Sequence, residues 1–171
     1  MLSADRPGEA FDYLKRPFDP ADAGYHLRES FSGVALMAEA AVGYGRVDEA
    51  RALVSALETV AIITPSPLLE ANLMYARAVL APHDVRERLY QAALAHGLSR
   101  WPWMRARVQL EYGRWLIGVG RAKEGAGQVR AGREVFDQIG ARRWSRCAAD
   151  ALANLDARAY EGPGPASGLQ P

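Results

Sequence analysis

Apolar residues recur along this chain at the spacing of helix faces. Leu27, Phe31, Val34, Ala38 and Ala41 follow one another at intervals of four, three, four and three, which places them on one face of an α-helix. Ala50, Leu53, Val54, Leu57 and Ala61 define a second face, and Leu69, Leu73, Ala76 and Leu80 a third. Val85, Leu89, Ala92 and His96 mark a fourth. Met104, Val108, Trp115 and Leu116 mark a fifth, and Ala126, Val129, Phe136 and Ile139 a sixth. Trp144, Ala148, Ala151, Leu152 and Leu155 mark a seventh. Breakers fall between these runs: Gly43-Tyr44-Gly45, Thr64-Pro65, Pro82, Gly97, Gly120 and Gly140-Ala141. Ser66 followed by Pro67 reads as a cap with proline at the first helical position. A short leading helix over 8–16 ends before Pro17 and Pro20, and Asp22 is a candidate cap for the helix that follows.

A lone amphipathic helix cannot bury its stripe, whereas a stacked series of helix pairs can. Ala38, Ala41, Gly45, Ala50, Val54 and Leu57 fit the small-apolar-turn-small frame of a tetratricopeptide-type repeat, and so do Gly113, Leu116, Gly120, Gly125, Val129 and Gly132. Gly45 and Gly120 stand 75 residues apart, about twice the unit of such arrays. The expected fold is therefore all-α, with antiparallel helix pairs stacked as a TPR-like right-handed solenoid of about seven helices over residues 1–158. Residues 159–171 are rich in Pro and Gly and are expected to form a flexible tail.

Composition adds bounds. The chain has 171 residues, 49% of them hydrophobic and 24% charged, which is ordinary globular usage. The single cysteine, Cys147, excludes an internal disulfide framework. No apolar run is long enough to cross a bilayer, and the N-terminus shows no basic stretch leading into an apolar one. A cytoplasmic location without membrane attachment is the expectation. The net charge of +1 conceals an asymmetry: residues 1–97 hold 9 Lys/Arg against 13 Asp/Glu, while residues 98–147 hold 11 against 4. Solvated arginine-rich helix faces account for this most simply; a nucleic-acid surface is the alternative.

Arg105-Ala106-Arg107, Tyr112-Gly113-Arg114-Trp115-Leu116, Phe136, Ile139-Gly140-Ala141-Arg142 and Trp144 give the stretch 101–155 a recognisable character. It resembles the end of the helical-repeat region in large ATP-binding LuxR/MalT-type transcriptional regulators of actinobacteria. Leu89 to Leu94 and His96 resemble the preceding helix of that family, and weaker similarity reaches back to Gly24-Tyr25-His26. The resemblance implies a repeat region that senses an inducer or a partner, between a nucleotide-binding module and a helix-turn-helix. Neither neighbour is expected in this chain. No GxxxxGK[ST] loop occurs, and the 16 residues after Leu155 are too few and too rich in Pro and Gly for a DNA reader. Sequence-specific DNA binding is accordingly not expected. Gly125, Gly127 and Gly132 stand where the family favours alanine, a cost of about 1 kcal/mol each at exposed helix positions.

Catalytic chemistry finds no constellation. His26, His83 and His96 carry no metal-ligand spacing, so neither a metal nor another cofactor is expected. His96 reads as a helix-end residue favourable to the dipole. Cys147 reads as a buried structural cysteine; Arg142, Arg143 and Arg146 beside it supply the alternative of an activated thiol. Most aromatics read as core. Trp101 and Trp103 flank Pro102 at a helix start, where one of them is expected to stay partly exposed. Arg100, Arg107, Glu111 and Arg114 share a face by spacing. Together, Arg100, Trp101, Trp103, Arg107 and Arg114 form the candidate partner-binding surface, since aromatics and arginines dominate interface hot spots. The expected function is a non-enzymatic interaction or inducer-sensing module associated with transcriptional regulation, its partner a protein or a small-molecule inducer and a homodimer one arrangement open to it. A small-ligand-binding repeat protein and a non-specific nucleic-acid binder through 98–147 are the alternatives.

Overall fold

A computed structural model of the chain describes residues 7–96 and 98–160, the side chains of 7, 8, 96 and 156–160 excepted. The tail is expected from 159, but 159 and 160 belong to the last helix; residues 161–171 and the role expected for the His96 side chain lie outside what is described. Among the described residues there is no strand, and the helices pack in neighbouring pairs, as an all-α helical-repeat fold requires. The elements are α1 (Pro7–Lys15), a 3-10 turn (Arg16–Phe18), α2 (Leu27–Tyr44), α3 (Val47–Ile63), α4 (Pro67–Leu80), α5 (His83–His96), α6 (Pro102–Gly118), α7 (Ala122–Gln138) and α8 (Arg142–Tyr160). They fall into two compact units, Met1–Val108 and Gln109–Pro171, and α6 contributes to both.

In the first unit α4 is the central helix. It packs against α2, α3 and α5, while α1 and α3 also lie against α2. Leu69, Leu73, Ala76 and Leu80, the stripe read from spacing, are all buried. So are Ala71, Asn72, Tyr75, Ala78 and Val79, because α4 has neighbours on several sides. Asn72 meets its buried polar cost by turning its amide back to the Leu68 carbonyl at 2.8 Å. Val34, Ala38 and Ala41 of α2 and Ala50, Val54 and Leu57 of α3 complete this core. On α5 the buried positions are Tyr90 and Ala93, with Ala92 exposed. The face is turned one residue from the stripe Val85-Leu89-Ala92, because the large ring of Tyr90 goes inside.

Helix ends follow local chemistry. The Ser66 hydroxyl accepts the Leu69 N–H at 3.3 Å, with Pro67 at the first helical position. The cap of α2 is His26, not Asp22: His26 Nδ1 accepts the Glu29 N–H at 3.2 Å. Asp22 instead folds the preceding corner, accepting the Gly24 N–H at 2.6 Å and the Arg16 Nε at 3.1 Å. Gly45 and Gly120 take φ of 76° and 86°, the left-handed region that glycine enters without penalty. At both, the next arginine sends its N–H back into the helix, Arg46 to Ala41 and Arg121 to Leu116, each at 2.9 Å. The α2–α3 and α6–α7 connections thus use the same Gly-Arg turn.

In the second unit α7 packs on α8, and α6 meets α7 at a glycine crossing. A Cβ on Gly125 would stand 2.6 Å from the Gly113 carbonyl oxygen and 2.7 Å from Ile117 Cγ1. A Cβ on Gly113 would stand 2.6 Å from Val129 Cγ2. The two backbones therefore touch where neither residue has a side chain. Gly127 has nothing within 4 Å of the same construction. The glycines of α7 are not equivalent: Gly125 is required by packing, and Gly127 only weakens the helix.

Two predictions follow from this geometry. Gly125→Ala lowers thermal stability through overpacking, by about 1–3 kcal/mol, whereas Gly127→Ala raises it by about 1 kcal/mol; opposite Tm shifts in calorimetry check the pair. The Asp22 carboxyl is held below its ordinary value, first by the Gly24 N–H and then by the Arg16 guanidinium. A depressed folded pKa contributes stability that is present above the unfolded carboxylate range and lost as pH falls through the lower folded value. The Asp22 carboxyl carbon therefore titrates below the usual aspartate midpoint by NMR. Arg16→Gln raises that midpoint only part of the way, since the Gly24 N–H remains.

Candidate docking site

The N-terminus of α6 is built on a tight turn. The Trp101 N–H bonds to the Leu98 carbonyl at 3.0 Å, and the Arg105 N–H returns to the Trp101 carbonyl at 2.9 Å. Leu98 is fully buried and anchors the turn. Pro102 then occupies the first helical position, where its missing N–H costs nothing. Trp101 is half-buried, and Trp103, one turn into solvent, keeps 38% of its surface exposed. Arg100 is exposed beside them.

Arg107 departs from the expected surface. It is only 3% exposed and belongs to the interior of the first unit. There its guanidinium bonds to the Glu39 carboxylate of α2, which also accepts the hydroxyl of Tyr75 from α4. The same guanidinium lies 5.6 Å from the Tyr75 ring centroid and 6.0 Å from that of Trp103. One carboxylate therefore serves a cation and a phenol, and the cation stands against two aromatic rings. Three helices, α2, α4 and α6, meet at this cluster. Spacing placed Arg107 with Arg100, Glu111 and Arg114. It did not show that Met104, Ala106 and Val108 around it are buried as well. The legible signal was Glu39, an acid on a helix face otherwise given over to Val34, Ala35, Ala38 and Ala41.

Arg114 lies in the second unit. It is exposed, pairs with Glu111 at 2.7 Å, and reaches the Cys147 carbonyl at 3.4 Å. The structure thus groups Arg100, Trp101, Trp103 and Arg107 within one unit and gives Arg114 partners of its own in the other. Cys147 is half-buried. Several cations of the basic stretch are already engaged: Arg105 with the Leu94 carbonyl at 3.0 Å, Arg121 with Glu124 at 2.7 Å, and Arg133 with Asp137 at 3.7 Å.

Spacing also missed exposed apolar side chains at the end of α3, where Ile62 and Ile63 are 81% and 77% exposed. A crevice of about 530 Å³ opens among α1, the 3-10 turn and α3, lined by Asp12, Lys15, Arg16, Asp22 and Glu49 among others. Its charges satisfy one another: Lys15 pairs with Asp12 at 2.9 Å and Glu49 at 3.5 Å. The Asp12 carboxylate, then Glu49, holds the Lys15 ammonium above its ordinary value. Among the described residues no group of three or more His, Cys, Asp or Glu side chains is arranged to hold a metal ion.

Removing one partner of the cluster strands the other. Arg107→Ala is expected to destabilise the fold by about 3 kcal/mol, because Glu39 keeps its charge without its cation. Tyr75→Phe removes one hydrogen bond and costs about 1 kcal/mol. Urea titration of the two variants checks the order.

Against known proteins, the chain matches no family model, no curated protein and no solved structure.

Proposed function

We propose that this chain is a non-enzymatic interaction module of the TPR-like kind, related to the sensing regions of LuxR/MalT-type transcriptional regulators, and that it docks a protein partner at the start of α6. The observation that carries this reading is Trp103. Its indole stays substantially exposed while the buried guanidinium of Arg107 stands against its ring. An aromatic held in place before binding loses little freedom on docking, and Trp and Arg are the residues that dominate interface energy. Arg100 and Trp101 extend the same corner. The helical-repeat scaffold supports the reading, because such arrays present side chains on rigid helix pairs. Engagement of Arg105, Arg107, Arg114, Arg121 and Arg133 by carbonyls and carboxylates weighs against a nucleic-acid role for 98–147.

A photo-crosslinking amino acid at position 103, with one at the more exposed position 13 as control, tests the proposal in the native cell. The expected result is a discrete protein adduct from position 103 that Arg100→Glu reduces several-fold. Equal, diffuse labelling from both positions rules out a docking role for Trp103.

A further inference from the structure

A second site is carried by a different region, the wedge where α3, α4 and α5 meet. We propose that this wedge binds a small organic carboxylate, its apolar body on the floor and its anionic head on Arg77. α4 stops at Leu80 because Pro82 cannot continue it, and the chain turns there into α5. The early stop leaves a cavity of about 280 Å³. Val54 of α3, Leu80 of α4 and Leu89 of α5 make its floor, and the first two are buried. Ser55 and Ala81, both small, leave the opening.

The rim carries Arg51, Arg77 and Glu58. Arg51 is fixed before any ligand arrives. Its Nε and Nη2 donate to the Leu80 carbonyl at 3.1 and 2.7 Å, and its Nη1 to Asp48 at 2.9 Å. It thereby caps the electronegative end of α4. Arg77 is fixed differently: its Nε donates to the Glu58 carboxylate at 2.5 Å. That bond uses one of the five N–H donors of a guanidinium. Among the described residues the terminal nitrogens of Arg77 take no hydrogen bond, so the end of the fork is open to a second carboxylate in the bidentate geometry that arginine favours. The Ser55 hydroxyl lines the same wall as a further donor. The apolar floor of Val54, Leu80 and Leu89 favours a ligand with an apolar body over a fully polar one. The volume lies at the lower end of ligand cavities and suits a body of phenyl or short-alkyl size. This site shares no residue with the corner at Trp103 and stands or falls apart from it.

Titration calorimetry of the full chain with phenylacetate and hexanoate tests the site, with 2-phenylethanol and phenethylamine as neutral and cationic counterparts. Saturable binding of the carboxylates, at least tenfold tighter than either counterpart, is expected. Arg77→Gln is expected to weaken it at least tenfold, and Leu89→Trp, which fills the cavity, to abolish it with the helical circular dichroism unchanged. Should Arg77→Gln fail to fold, Leu89→Trp decides alone. The proposal is overturned by no saturable binding, by an alcohol or amine that binds as tightly, or by carboxylate binding that survives Leu89→Trp.

Discussion

An arginine taken out of water costs several kcal/mol unless its charge and its N–H groups are met. Arg107 is in that position, and the first unit meets its charge. Glu39 supplies the opposite charge from α2, and Tyr75 supplies a ring face from α4 and a hydroxyl to the same carboxylate. These three side chains reach one another only when α2, α4 and α6 hold one relative position. Hydrophobic packing between Ala-rich faces tolerates sliding; a shared carboxylate does not. The cluster therefore sets a register that the apolar contacts alone leave loose.

The same logic recurs at lower stakes along the chain. Arg51 closes the end of α4 from α3, Arg86 bonds to the Ala81 carbonyl in the next turn, and Arg105 bonds to the Leu94 carbonyl at the end of α5. Helix C-termini leave carbonyls without partners, and a guanidinium can serve two acceptors at once. Three of the arginines in this sequence thus join helix ends. This reframes the charge asymmetry of residues 98–147: it records internal connections as well as surface.

The candidate docking corner and the wedge differ in what supports them. At α6 the supporting element is a cation buried beneath an exposed indole. At the wedge it is the end of α4 at Leu80, where the chain turns at Pro82 into α5. Both candidate positions lie at helix ends, one at the start of α6 and one at the end of α4.

Periodicity alone determined the number, type and approximate limits of the helices. Apolar residues at intervals of three and four admit no other regular structure, and Ser66-Pro67, Gly45, Gly120 and Gly140 end or start helices through backbone chemistry that is local. Val34, Ala38 and Ala41 of α2 and the stripe of α4 were legible for the same reason, whereas Leu27 is exposed and the buried Met37 lies off the stripe. Tertiary structure decided the rest. It turned α5 to bury Tyr90, because two apolar stripes of equal spacing compete there and only packing volume chooses between them. It separated Gly125, which a crossing backbone requires, from Gly127, which nothing touches. Above all it took Arg107 inside. A single charged residue carries no periodic signal, and the partner that makes its burial affordable lies 68 residues away.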